Sequence, residues 1–402
     1  MTKADKEGQR KTPILRFKGF TDDWEQRKLG TITDTYSGGT PQVSVKDYYS
    51  NNEIPFIRSS DIHKNKTELY ISSKGLENSS AKLVSKGHIL YALYGATSGE
   101  VDVSKIDGAI NQAVLCINAH NDLNYFLMLF LSKNKDKIVR KYIQGGQGNL
   151  SASIIKKIKV FTTSKLEETK ISNLVKILSD IIALYERKLK LLSQVKKYFL
   201  DNLFAEKEYP NLRFKGYEDT WLKSKFSKFL SIPEKVKVTI DSPSRILTVK
   251  LNLGGVQKGA NRTTLKLNST TYYLRKAGQL IYGKQNLFNG SLAIIPSQFE
   301  GYVTSGDVPS LNIDNIDKRF LYYYIARKSF YKKTEAYSSG TGSKRIHEKT
   351  FLGFNIVYPE DLKEQEKISK LISSINSNIE LYRSKKNNLM AIKKNLLNTM
   401  FI

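Results

Sequence analysis

The sequence predicts an α+β protein in which two tandem mixed α/β globules are separated by two long helices that pair as an antiparallel coiled coil, forming a pseudo-twofold repeat. Three observations lead to this prediction. A ten-residue segment occurs twice, short apolar runs are punctuated by glycine and Asn/Ser/Asp clusters, and two long stretches carry a heptad pattern. The 402 residues have a formal net charge of +27, and a hydrophobic content of 40% is enough to build folded cores.

The repeated segment reads LRFKGFTDDW at Leu15–Trp24 and LRFKGYEDTW at Leu212–Trp221, which is an offset of 197 residues. The same offset relates Lys170–Ser172 to Lys367–Ser369, far downstream. A unit of about 200 residues is too long for a solenoid repeat, so the pattern indicates a duplicated domain with its connector. The predicted bounds are a mobile leader at 1–13, a first globule at 14–163, a first helical spacer at 164–206, a second globule at 207–361 and a second spacer at 362–402.

Each globule is predicted to contain short strands and one interrupting helix. The helices are expected around 123–132 and 317–328, which favours mixed globules with mainly antiparallel pairing. The expected strands are Ile54–Arg58, His88–Tyr94, Ala113–Ile117, Leu247–Leu251, Gln279–Tyr282 and Leu292–Ile295.

The connectors carry apolar side chains at the a and d positions of a heptad repeat, which predicts a coiled coil. Each stretch runs about 35–40 residues, or roughly 50–60 Å as a helix, which is longer than one face of a small domain. Lysine occupies the same skipped d position in both copies, at Lys188 and Lys385, and such a polar interruption often fixes register. The alternative is that each amphipathic helix packs on its own globule. The predicted seam is Ile171, Leu174, Leu178, Ile181, Tyr185, Leu192, Val195 and Phe199, with Ile368, Leu371, Ile375, Asn378, Tyr382, Leu389, Ile392 and Leu396 in the second copy.

Catalytic signatures are missing from the sequence. There is no phosphate-binding P-loop and no G-x-S-x-G elbow, and His347-Glu348 lacks the second histidine of a zinc protease motif. The lone Cys116 lies in an apolar run and excludes an intrachain disulfide. Carboxylate pairs with catalytic spacing remain open. We therefore expect no cofactor, no metal site and no enzyme activity, and the apolar stretches are too short for a membrane span, so a cytoplasmic location is expected.

The positive charge favours binding to a nucleic acid, although lysine-rich composition also follows from an AT-rich genome. Two glycine-rich polar loops, 144–151 and 338–345, occupy the same place in each repeat and could approach phosphates or base edges, or form plain turns. Arg58 could contact a guanine or form a salt bridge with Asp61. The DNA-binding candidates are Arg58, Ser59, Ser60, Gln144, Gln147, Asn149, Ser151, Lys284, Gln285, Ser338, Thr341, Ser343, Lys344 and Arg345.

Four features of the sequence are typical of one protein family: the repeated segment, the IPFIRSSDI run at 54–62, the GQGNLS loop at 146–151 and the helix start at 167–172. In these features the chain resembles the specificity (S) subunit of type I restriction–modification enzymes. The resemblance implies two target recognition domains, each reading one half of a split double-stranded DNA sequence. It also implies that the coiled coil sets the gap between the half-sites and docks two modification (methyltransferase) subunits, and restriction (endonuclease/translocase) subunits through them.

The second copy departs from the first. Only Thr248–Leu251 loosely corresponds to Arg58–Asp61, and the polar loop reads GTGSKR, which is expected if the halves read different bases. The competing interpretation is a duplicated coiled-coil adaptor whose charge is incidental. A stand-alone adenine methyltransferase is disfavoured, because its Pro-Pro motif does not occur.

Overall fold

The computed structural model describes residues 11–121, 123–143, 149–204, 206–240, 242–259, 270–340 and 343–402. The chain divides into two compact units. Unit 1 runs to Glu186 and also contains Ser384–Ile402, whereas unit 2 is Arg187–Arg383. Each unit therefore combines one globule with the beginning of one long helix and the end of the other.

Unit 1 is built on two four-stranded sheets. The first has the strand order β2-β9-β6-β7 and is antiparallel throughout, and the second has the order β4-β3-β8-β5, in which β3 and β8 are parallel. Strands β1 and β10 form a separate antiparallel ribbon. The strands are β1 (Glu25–Lys28), β2 (Thr33–Ser37), β3 (Tyr49–Ile57), β4 (Tyr70–Ile71), β5 (Lys82–Val84), β6 (Ile89–Ala92), β7 (Val101–Val103), β8 (Gly108–Ile110), β9 (Val114–Ala119) and β10 (Lys159–Thr162).

The helices of unit 1 cover the sheets and lead out of the globule. They are α1 (Leu29–Ile32), α2 (Ser73–Glu77), α3 (Asn124–Lys133), α4 (Lys135–Ile143), α5 (Ala152–Lys156) and the long α6 (Lys165–Asn202). Residues 126–131 of α3 are all buried, because this helix packs on the apolar strands β6 and β9. The predicted helix and strands of this half are thus confirmed.

Unit 2 repeats the pattern with smaller sheets. Its described strands form the sheet β12-β20-β17-β18, the sheet β13-β16-β19 and the pair β14-β15, and the ribbon β11-β21 corresponds to β1-β10. The strands are β11 (Leu222–Lys225), β12 (Leu230–Ser231), β13 (Lys237–Val238), β14 (Leu247–Val249), β15 (Val256–Lys258), β16 (Tyr272–Leu274), β17 (Leu280–Tyr282), β18 (Leu292–Ile294), β19 (Val303–Ser305), β20 (Ser310–Ile313) and β21 (Asn355–Tyr358). The helices are α7 (Lys318–Ala326), α8 (Lys328–Tyr331), α9 (Glu348–Leu352) and the long α10 (Leu362–Met400).

The two long helices run antiparallel within each unit. In unit 1 the start of α6, at Ile171, shares a core with the end of α10, at Met400, and Glu186 farther along α6 pairs with Lys386 at 3.2 Å. In unit 2 the start of α10, at Ile368, shares a core with Leu203, just after α6. The predicted antiparallel pairing is therefore confirmed.

The seam differs in detail from the predicted heptads. Val195 and Ile392 are exposed, whereas the next residues, Lys196 and Lys393, are half-buried. A straight helix has 3.6 residues per turn and drifts from a strict 3.5-residue repeat, which moves the contacting position by one residue. Burial lowers the pKa of both lysines, and Lys188 is exposed with its Nζ 4.0 Å from the ring centroid of Tyr382.

The two tryptophans of the repeated segment mark equivalent cores. In unit 1, Phe401 stacks on Phe126 at 5.0 Å between ring centroids and lies 6.3 Å from Trp24. In unit 2, Phe204 lies 5.2 Å from Phe320, which in turn lies 5.8 Å from Trp221. Each core is thus completed by the residues that end the long helix begun in the other unit.

A buried ion pair joins the repeated segment to the long helix of the same unit. Arg16 donates two hydrogen bonds to Glu167, at 2.6 and 2.8 Å, and Arg213 donates two to Glu364, at 2.8 and 2.9 Å. Both carboxylates are almost fully buried. Such paired bonds fix direction as well as distance, so each pair ties the repeated segment to the start of the helix in a defined orientation.

Candidate nucleic-acid interface

Arg58 stands at the end of β3, where the chain leaves the sheet through a short 3-10 turn at Ser59–Asp61. Its Nε lies 3.2 Å from Oδ2 of Asp61, and Lys64 Nζ lies 2.7 Å from Oδ1 of the same carboxylate. Burial opposes the ionisation of Asp61, but the hydrogen bonds from Lys64 and Arg58 outweigh it, and the pKa of Asp61 is lowered. The Asp61 contact uses Nε, so it does not consume the two Nη groups that would bond to a guanine edge.

The second candidate segment of unit 1 reaches the same end of the sheets. Leu150 donates a backbone hydrogen bond to Leu93, just after β6, and Leu93 donates one to Ala113. Ala113 ends the turn after β8, whose Ile110 pairs with Ile57, immediately before Arg58. A continuous set of backbone contacts thus connects the two segments that the sequence singled out separately.

The remaining candidates of unit 1 differ in availability. Asn149 and Ser60 are exposed and Ser59 is half-buried. Ser151 accepts a hydrogen bond from the backbone of Ile154 and caps α5, which gives its hydroxyl a structural role. Gln144 and Gln147 lie outside the described residues.

In unit 2 the two candidate segments lie directly against each other. The backbone N–H of Lys284 donates to Asp307, and Ile346 donates back to the carbonyl of Lys284. Ser339 and Arg345 form an antiparallel bridge that closes the 338–345 loop. The structure therefore brings the segment after β17 and this loop to one surface.

Most of the cations on this surface of unit 2 are paired with carboxylates. Arg345 Nη1 lies 3.2 Å from Asp307, Lys344 Nζ lies 3.0 Å from Glu335, and Lys284 Nζ lies 3.0 Å from Glu348. The Lys284 side chain is only 13% exposed, so a DNA phosphate would have to compete with Glu348 for it.

The other candidates of unit 2 are polar side chains on the same loops. Gln285 and Ser343 are exposed, and the Ser338 hydroxyl donates to the backbone of Glu335 at 2.6 Å. Thr341 lies outside the described residues.

A polar cavity of about 320 Å³ opens beside these loops. Arg275 in its wall is 4% exposed, and its guanidinium bonds to Thr304, Ser310 and the carbonyl of Val308. Burial lowers its pKa to about 10, with Glu348 opposing the shift, so it remains charged at neutral pH. The charged and aromatic lining residues are Lys235, Tyr273, Arg275, Lys284, Asp307 and Glu348.

Sequence reasoning missed the carboxylates that hold these cations. Asp307 and Glu348 lie far along the chain from Lys284, and no local pattern connects them. Arg275 was missed for a different reason, because an arginine beside a strand is usually a surface residue. The pair of Arg58 with Asp61 was one of the two alternatives that the sequence left open, and the structure contains it.

The described residues contain no group of three or more His, Cys, Asp and Glu side chains that could hold a metal ion. Cys116 is buried, and burial raises the pKa of its thiol to about 11, which keeps it protonated. None of the described helices has the length and apolar character needed to cross a bilayer.

Comparison with known proteins identifies a family. The family model for the type I restriction modification DNA specificity domain matches residues 21–195 and 255–391. The chain is 23% identical to the type I restriction enzyme MjaVIII specificity subunit of Methanocaldococcus jannaschii, covering 94% of this chain and 92% of that protein. It is 25% identical to the EcoR124I/EcoR124II specificity subunit of Escherichia coli over about half of each chain. The S subunit of a type I restriction–modification system from M. genitalium has a similar fold, with a TM-score of 0.67, 12% identity and coverage of 97% of this chain and 99% of that one.

Proposed function

The chain belongs to the type I restriction–modification DNA specificity family, and from this membership we propose how it works as the sequence-specific DNA-binding subunit of a type I restriction–modification complex. Each unit reads one half of a bipartite DNA target. The observation that carries the proposal is the duplication. The family model matches two ranges, the repeated segment has two copies, and each unit has its own pair of polar segments. The adaptor interpretation is not favoured, because it predicts no such surface.

We assign the two reading domains to residues 14–163 and 207–361, and the spacers to 164–206 and 362–402. Arg58 leads the readout in the first domain, because Asp61 orients its guanidinium and leaves Nη groups for a guanine edge. Arg345 has the corresponding role in the second domain, where the contact with Asp307 orients the guanidinium through Nη1 and base contact falls to its other nitrogens. The other proposed contacts are Ser59, Ser60, Gln144, Gln147, Asn149, Ser151, Lys284, Gln285, Ser338, Thr341, Ser343 and Lys344.

The rigid link between reading domain and helix supports the proposal that the coiled coil sets the gap between half-sites. The buried pairs Arg16–Glu167 and Arg213–Glu364 hold each globule at a fixed angle to the helix that leaves it. A globule on a flexible tether would tolerate several gap lengths, whereas a globule held in this way selects one.

The long helix α6 also carries apolar side chains that the fold leaves exposed. Ile177, Leu184, Leu191 and Tyr198 follow one another at seven-residue intervals, and each is 52–63% exposed. This spacing is typical of a helix face that packs on another protein. We assign this face to the methyltransferase subunits, which bring the restriction subunits with them.

Catalysis resides in these partners, and the complex works in the cytoplasm, where the genomic DNA lies. Purified chain without them is expected to transfer no methyl group and to cleave no DNA. Methyl transfer by the chain alone, surviving removal of contaminants, would contradict this assignment.

The decisive experiment is to express the chain with its methyltransferase subunit and to map the methylated sites in the host DNA. A bipartite motif with a fixed gap is expected. Salt dependence supplies a second readout, since affinity should fall by about 0.9 log units per log unit of salt for each neutralised phosphate. A continuous motif would contradict the two-domain proposal, and no salt-dependent binding to duplex DNA would favour the adaptor.

A further inference from the structure

His63 lies on the same short segment as Arg58, and two carboxylates bracket its imidazole ring. Nδ1 lies 3.1 Å from Oδ2 of Asp102, and Nε2 lies 2.9 Å from Oε2 of Glu100. An ionised carboxylate only accepts hydrogen bonds, so both contacts require an N–H on the ring. Only the protonated imidazolium carries both, and the geometry therefore describes a charged His63.

The surrounding charges favour this state. The hydrogen bond to Asp102 raises the pKa of His63 most, burial opposes it, and Glu100 adds to the rise. Lys105 contacts Asp102 at 3.2 Å and also donates to the carbonyl of His63, and Lys135 contacts Glu100. The other titratable groups near the cluster are Asp61 and Lys64 on the same segment, Tyr125 on α3 and Lys393 on α10.

The cluster connects the Arg58 segment to a buried sheet. Asp102 is on β7 and pairs with Leu90 of β6, which is buried. The segment itself is held by backbone bonds from Asp61 to Arg58 and from Lys64 to Asp61. Among the described contacts, His63 and the Lys105 bond to its carbonyl join the segment to β7, and Ile62 of the same segment shares a buried core with Leu90 of β6.

We propose that protonated His63 is a positioning residue that clasps the Arg58 segment onto β7, so that DNA reading by unit 1 weakens as the pH rises. The proposal rests on the function proposed above for Arg58. Unit 2 provides an internal control. The offset that relates Arg58 to Thr248 places Leu253 opposite His63, so the corresponding segment of unit 2 has no histidine to form this clasp.

The direction of the pH effect follows from the sign of the shift. A histidine whose folded pKa is raised contributes its full stabilisation below its ordinary value of 6.5. The contribution is lost as the pH rises through the raised value. The clasp therefore opens on the alkaline side.

Three variants of the full chain test the clasp without DNA. His63→Gln removes the charge, His63→Arg makes it permanent, and His120→Gln is the matched control, because His120 meets a single carboxylate, Asp34, at 3.3 Å. Hydrogen exchange at the amides of Arg58 and Lys64 is measured from pH 6 to pH 9 and corrected for the intrinsic rate. Losing one charge-assisted hydrogen bond at a half-exposed site corresponds to about a tenfold change in opening.

We expect exchange in the wild type and in the His120 control to accelerate about tenfold across this range. His63→Gln should be fast and His63→Arg slow at every pH. Equal exchange in the wild type and His63→Gln at pH 6, or an NMR titration of the His63 ring at its ordinary value, would overturn the clasp.

The second arm uses the complex with the methyltransferase subunit and duplexes in which one half-site is scrambled. Discrimination of the first half-site should fall with pH in the wild type but not in His63→Arg, whereas that of the second half-site should stay constant. If both half-sites follow the same pH profile, the proposal is wrong. If neither half-site is discriminated at any pH, the DNA-reading function itself fails, and the exchange data still decide the clasp.

Discussion

Glu168 and its equivalent in the second copy differ in whether the side chain can titrate, and this difference gives a testable prediction. It is 5% exposed at the start of α6, and one of its oxygens accepts a hydrogen bond from the backbone of Thr163 at 2.9 Å. Burial raises its pKa from 4.5 to about 7, with the neighbouring Glu167 adding to the rise. The equivalent position in the second copy is Gln365, a neutral side chain of the same shape that bonds to Asp317 and Pro359.

The magnitude follows from this shift. A carboxyl group whose pKa is higher in the folded state holds its proton more tightly there, so stability falls as the pH rises from 4.5 towards 7 and is constant above. A difference of about 2.5 pKa units corresponds to a cost of roughly 3 kcal/mol at pH 8. Glu168→Gln removes this cost, since the amide oxygen can still accept the hydrogen bond from Thr163.

The assay is urea unfolding of the full chain at pH 5 and pH 8. Trp24 and Trp221 are the two tryptophans of the chain and lie in different units, so a Trp221→Phe background reports on unit 1 alone. We expect the free energy of unfolding of Glu168→Gln, relative to that of the parent, to be about 2 kcal/mol greater at pH 8 than at pH 5. The converse change, Gln365→Glu in a Trp24→Phe background, should make unit 2 less stable as the pH rises.

Comparing variant and parent at each pH cancels the titration of the groups that do not interact with Glu168. An advantage of Glu168→Gln that is equal at pH 5 and pH 8 would refute the reasoning, because the effect would then be packing and not ionisation. If the parent instead loses stability relative to the variant as the pH falls, the sign of the predicted effect is wrong.

Three further predictions use the same repeat. Phe401→Ala should destabilise unit 1 and Phe204→Ala unit 2, each by about 3–5 kcal/mol, as measured by hydrogen exchange in each unit, and loss of protection in the opposite unit would contradict the assignment. Arg345→Ala should relax the second half of the methylated motif at one position, by about 1–3 kcal/mol, and spare the first half; a uniform loss on all DNA would mean a phosphate contact. Matched insertions of one heptad after Arg187 and after Ser384 add about 10 Å of helix and should lengthen the gap of the motif by about three base pairs. An unchanged gap with an altered half-sequence would contradict the proposal that the coiled coil sets the gap.

Local patterns predicted much of this fold. The repeated segment, the apolar strand runs and the heptads depend on spacing within a few residues. The structure has strands at the predicted runs, long helices at the heptads and a buried tryptophan at the end of each repeated segment. The same reasoning misplaced Val195 and Ile392 on the coiled-coil seam, because it assumed a strict seven-residue repeat.

The candidate interface was predicted less completely. Asp61 lies three residues from Arg58 and could be proposed as its partner. Glu348 and Asp307 are distant in sequence from the cations with which they pair. The same is true in the core of unit 1, where Phe401 is distant in sequence from Trp24. Contacts of this kind arise from tertiary packing, which single-sequence periodicity does not encode.

The placement of Met400 and Phe401 in the core of unit 1 has a consequence for biosynthesis. Domains usually fold as they leave the ribosome, with the N-terminal one first. Here the first globule lacks two buried side chains until Met400 and Phe401 have been translated, so its core is completed only after the second globule has been made. A nascent chain that stops anywhere in its second half therefore leaves apolar surface of the first globule exposed. Such incomplete subunits become substrates for proteolysis.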